Sequence, residues 1–67
     1  MSYREARELA RIRQELRERL MSLRFDGASD VLARLRIVAE NDIELRSEYE
    51  RWRLRFDLLS VTAPKAA

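Results

Sequence analysis

Sixty-seven residues allow one domain, and a chain this short struggles to bury enough apolar surface by itself. It contains no cysteine and no histidine, which excludes disulfide staples, Cys/His zinc sites, a thiol nucleophile and an imidazole base. Charged residues make up 39% of the chain but nearly cancel, leaving +2, well short of the balance expected of a strongly basic nucleic-acid domain.

Oligomerisation is the remaining way to enlarge a small core, and a homodimer is its commonest form. The first residues are dense in charge and lack the apolar run of a secretory signal. No stretch approaches the roughly eighteen apolar residues of a membrane span. The expectation is a cytoplasmic protein with no membrane attachment and no cofactor. Its basic residues are thirteen arginines and one lysine, Lys65. Arginine suits bidentate contacts with carboxylates and phosphates, although a GC-rich genome also favours it without functional demand.

Ser2-Tyr3-Arg4-Glu5 has the spacing of a capping box, and no Gly or Pro follows before Gly27. The first helix is expected to run to about Arg24. Leu9, Ile12, Leu16, Leu20 and Leu23 fall within an arc of about 80° and form its buried face. Arg4, Glu8, Arg11, Glu15 and Arg19 alternate in sign on another face, the pattern of a solvated stripe. Arg13, Arg17 and Arg24 flank the apolar arc with no acid among them. This strip, about 16 Å long, either grips carboxylates or phosphates of a partner or pairs internally with Glu44 and Glu48.

Phe25-Asp26-Gly27-Ala28-Ser29 breaks the helical pattern. Gly27 is expected to take the left-handed conformation that closes the helix, and Ser29 to cap the next one. So short a turn folds consecutive helices into a hairpin.

In the second half, Val31, Leu35, Val38, Asp42, Leu45, Tyr49, Trp52, Phe56 and Leu59 recur at alternating spacings of four and three. They read as one core-facing seam. Either a single helix carries it, with Asp42 as a polar seam position, or the helix breaks at Glu40-Asn41-Asp42. Asn41 and Asp42 are both good N-caps, and Asn41 has capping-box spacing to Glu44, so the break is the favoured version.

Leu54 and Leu58 project away from that seam, Val61 joins them if the helix persists, and Ile37 points away from Val31, Leu35 and Val38. Either the first helix covers them or they meet a second subunit or partner; the second is expected. Arg46, Glu50, Arg53 and Asp57 form another alternating, solvated stripe. Arg51-Trp52-Arg53-Leu54-Arg55-Phe56 has the look of a basic-aromatic nucleic-acid patch. On a helix, however, Arg53 points nearly opposite Arg51 and Arg55, while Trp52 and Phe56 face the core. Residues 61–67 include Pro64 and lose the periodicity, so a flexible tail is expected after a helical domain of residues 1–60.

Glu44-Leu45-Arg46-Ser47-Glu48-Tyr49-Glu50-Arg51-Trp52 resembles small arginine- and glutamate-rich helical proteins with which temperate phages take over their hosts. The kind it resembles is the anti-quorum-sensing protein of Mu-like Pseudomonas phages. The resemblance rests on length, helical composition and the Tyr-x-x-Trp spacing. It implies a short helical dimer, an anti-activator that binds a LuxR-type transcription regulator and a pilus-assembly ATPase.

The expected fold is all-α: a helical hairpin whose second arm is whole or broken, giving two or three helices, assembled as a homodimeric helical bundle. The expected function is non-enzymatic, namely binding and inhibiting or modulating another protein. A small RNA- or DNA-binding regulator is the alternative.

Overall fold

The computed structural model describes residues 2–62. Within them the chain forms three helices and no strand: α1 (Tyr3–Met21), α2 (Phe25–Val38) and α3 (Ile43–Thr62). Ser2 opens α1 as its sequence requires, its Oγ accepting the Glu5 backbone N–H at 3.2 Å.

The turn between α1 and α2 lies earlier than the glycine implied. α1 ends at Met21, and Leu23 takes the left-handed conformation, with φ 57°. The Leu23 N–H donates to the Leu20 carbonyl and the Arg24 N–H to the Arg19 carbonyl, at 3.2 and 2.8 Å. These two bonds satisfy carbonyls that the helix end would otherwise leave open, a closure usually built on glycine at this position. Gly27 has no positive φ and Ser29 caps nothing, since both lie inside α2. Gly27 serves close packing instead. A Cβ there would stand 3.2 Å from Arg19 Cδ, and the Gly27 carbonyl accepts from Arg19 Nη1 at 2.9 Å. Leu23 consequently leaves the buried arc assigned to it and is 44% exposed.

A left-handed leucine costs more than glycine would. Leu23→Gly is therefore expected to stabilise the protein by about 0.5–1 kcal/mol in urea denaturation, part of the gain being offset by lost side-chain contact. A decrease in the denaturation midpoint would show that packing of Leu23 outweighs its backbone strain.

The second arm breaks where its sequence favours a break. The Ala39 and Asp42 N–H groups donate to the Leu35 and Ala39 carbonyls, carrying the chain around the corner. Asp42 Oδ1 then accepts the Glu44 and Leu45 N–H groups at 2.9 and 3.2 Å, so Asp42 caps α3 rather than sitting in a continuous seam.

Contacts fix the helix directions. Arg19 reaches Gly27 and Arg34 pairs with Glu15, so α1 and α2 run antiparallel. Phe25 meets Phe56 edge-on at 5.6 Å and Arg13 meets Glu48, so α3 returns parallel to α1. The core consists of Leu9, Ile12, Leu16 and Leu20 from α1, Ala28, Val31, Leu32 and Leu35 from α2, then Ala39 and Leu45. Ala28 continues the seven-residue seam one step before Val31, whereas Leu32 and Ala39 lie to one side of it because this arm, packed against two neighbours, buries a wider arc than a coiled-coil stripe. Val38, Tyr49, Trp52, Phe56 and Leu59, expected in the core, are only half-buried.

α3 continues to Thr62, whose Oγ1 donates to the Leu58 carbonyl at 2.8 Å. Val61 and Thr62, assigned to the tail, are thus helical; residues 63–67 of that tail lie outside the described residues. No helix among the described residues is long and apolar enough to cross a membrane.

Candidate functional site

α3 is apolar on two opposite faces. The inner one, Leu45, Tyr49, Trp52, Phe56 and Leu59, leans on α1 and α2, yet only Leu45 is fully buried. The outer one is bare: Leu54 is 60% exposed, Leu58 58% and Val61 82%. Ile43, which the sequence reading overlooked, is equally open and lies on the same side about three turns before Leu54. Its signal was there, since helical spacing from Leu54 puts it on that face, but it falls outside the inner seam. Ile37 is exposed too, but the fold keeps it apart: it lines the groove between α2 and α3 with Tyr49, Arg53 and Phe56.

The charges nearest the outer face differ between its two edges. Glu50 and Asp57 stand on one side, with Arg46 and Arg53 just behind them; Arg51 and Arg55 stand on the other, next to α1, with Glu44 and Glu48. The Arg55 guanidinium lies over the Trp52 ring, 5.0 Å from its centroid. Arg13, Glu48, Arg51, Trp52 and Arg55 line an open cleft of about 360 Å³ between α1 and α3.

Within that cleft Arg13 is not available to a partner. Its Nε and Nη2 both donate to the Glu48 carboxylate at 2.7 Å, a bidentate pair across two helices. The Trp52 indole N–H adds a third donor to Glu48 at 3.2 Å. The Arg13 bond holds the Glu48 carboxyl below its ordinary value of 4.5; burial, the next-largest effect, opposes it, and the indole bond adds a smaller lowering. Internal pairing therefore takes one member of the Arg13, Arg17, Arg24 strip. Arg17 and Arg24 remain exposed and make no ion pair among the described residues.

The sign-alternating stripes behave differently from isolated helices. Glu15 reaches across to Arg34 on α2, and Arg19 is spent on the Gly27 carbonyl, so α1's stripe helps dock α2. On α3, Arg53 pairs with Asp57 at 3.5 Å in the spacing expected.

Because the folded Glu48 carboxyl is more acidic than in the unfolded chain, its contribution is complete above pH 4.5. That contribution disappears as pH falls through the lower folded value. Glu48→Gln is expected to cost about 1 kcal/mol near pH 7, discounted for the partly exposed arginine, and less near pH 3, below the ordinary carboxylate value. Urea denaturation of both proteins at the two pH values checks this; an equal gap at both would exclude the pair as its source.

No family model, curated protein or solved structure matches this chain.

Proposed function

We propose that this chain is a non-enzymatic, dimeric helical protein that binds another protein and inhibits or modulates it. One observation carries the reading: α3 is long, charged at its edges and apolar outward, although its inner face already serves the core. Contiguous exposed apolar surface rimmed by charge is the usual mark of a protein interface. The outer stripe joins two copies, and Arg17 and Arg24 offer guanidinium groups to carboxylates of the partner. Following the phage resemblance, the specific form of this proposal is an anti-activator of a LuxR-type regulator or a pilus-assembly ATPase in the host cytoplasm.

The arginines around Trp52 favour a second reading, a small RNA- or DNA-binding regulator, since a base can stack where Arg55 lies and a phosphate can meet Arg51. Capture from host lysate on immobilised protein, with and without nuclease, separates the two. The protein-binding reading expects one partner retained after nuclease treatment and moderate salt, and lost from an Arg17→Glu, Arg24→Glu variant. Retention that vanishes with nuclease and falls steeply with salt would replace it with the nucleic-acid reading.

A further inference from the structure

The outer face of α3 has a heptad seam of its own. Ser47, Arg51, Leu54, Leu58 and Val61 follow one another at spacings of four, three, four and three, on the side of the helix opposite Leu45, Trp52 and Phe56. Nothing among the described residues covers it, and a helix laid along it meets neither α1 nor α2, which pack on the other side.

The charges flanking this seam decide what fits it. Glu50 and Asp57 edge one side, Arg51 and Arg55 the other. Glu50, Arg51 and Arg55 make no ion pair among the described residues, and Arg55 rests only on the Trp52 ring. Arg46 and Arg53 lie just behind the acids, and Asp57 is already paired with Arg53, so the free charges beside the seam are Glu50 on one edge and Arg55 on the other. If two copies pair with their third helices parallel, each Glu50 edge meets the other's Arg55 edge. If they pair antiparallel, like edges meet.

We propose that a second copy of this chain occupies the outer seam, with the two α3 helices parallel and in register. This rests on the dimeric reading above and specifies its geometry. Leu54, Leu58 and Val61 then stack on their own counterparts across the axis. Glu50 faces Arg55 of the second copy, five residues further along, the offset that joins flanking positions in a parallel coiled coil. Arg51, in the same seam, faces Arg51 of the second copy, and Glu50 of each copy lies beside the other's Arg51 and offsets that repulsion. With about three apolar layers the interface is short, so the dimer dissociates on dilution rather than being permanent.

The natural chain has no cysteine, so one introduced thiol reports its own neighbour without background. In the parallel pair Val61→Cys faces itself within disulfide reach, about 4–7 Å between Cα atoms. In an antiparallel pair centred on Leu54 to Leu58 the two thiols stand more than about 10 Å apart, and residue 61 lies near residue 51 or 54 of the other copy. Mild oxidation of Val61→Cys is expected to give covalent dimer in native buffer and little in urea. Glu50→Arg is expected to weaken association about tenfold, and adding Arg55→Glu to recover affinity over the single variant. Failure of Val61→Cys to cross-link, with cross-linking in a mixture of Leu54→Cys and Val61→Cys, overturns the parallel geometry. Unchanged association in Glu50→Arg overturns it as well. If the unmodified chain sediments as a dimer through either failure, the dimeric reading survives. If it sediments as a monomer, both fall.

Discussion

Leu16→Ala is expected to remove a large share of the subunit's folding stability. Leu16 is fully buried, at the centre of the layer formed with Ile12, Val31 and Leu35. Truncating such a leucine removes its transfer free energy and leaves a cavity, together about 3–5 kcal/mol. A domain of this size has only about 3–10 kcal/mol in total by the usual per-residue range. Its core is one leucine thick, so few neighbours can close the gap. Far-UV circular dichroism with urea denaturation checks this, with Leu23→Ala as the comparison because Leu23 lies outside α1 and half in solvent. The comparison should lose less than about 1 kcal/mol. A Leu16→Ala protein that melts cooperatively within a few degrees of the natural one would mean the core lies elsewhere.

Leu58→Asp is expected to abolish association without unfolding the subunit. The side chain projects from the outer face of α3 and is 58% exposed, so within one copy the change resembles any surface substitution, within about 0.5 kcal/mol. Across a shared apolar seam it places two carboxylates in a dry contact with no cation between them, and each unpaired charge so buried costs several kcal/mol. Association should weaken by more than about a hundredfold, while helical content at high dilution stays that of the natural chain. Loss of helix in Leu58→Asp at every concentration would instead place Leu58 in the fold of the single subunit.

Much of this architecture could be read from residue order, and the exceptions share a cause. The Ser2 cap, the Leu9 to Leu20 stripe and the corner at Asp42 are local: each depends on residues within one helical turn of each other. The α1–α2 turn was misplaced because two competing uses of small residues look alike. Glycine is commonly the residue that closes a helix, but here the scarce quantity is room beside Arg19, and Gly27 goes to that. Backbone hydrogen bonds from Leu23 and Arg24 close this left-handed turn, and no side chain advertises them. Leu32 escaped because a period of seven selects a narrow stripe, whereas a helix between two partners needs a broader one. Arg13 and Glu48 were recognisable as candidates for each other. Only the crossing of α1 and α3 brings them together in place of Arg17 or Glu44.

The outer face of α3 was the most legible functional feature. Leu54 and Leu58 cannot share a helix face with Trp52 and Phe56, whichever way the rest of the chain folds. That geometric conflict is what leaves apolar surface uncovered and links a sequence pattern to association.

Sedimentation velocity of the unmodified chain, diluted from about 100 µM to about 1 µM, tests that link most directly. A species of twice the 8.0 kDa chain mass at the high end, dissociating on dilution, is expected. A helical species of 8.0 kDa throughout would show that one copy tolerates its bare third helix, and would contradict the account.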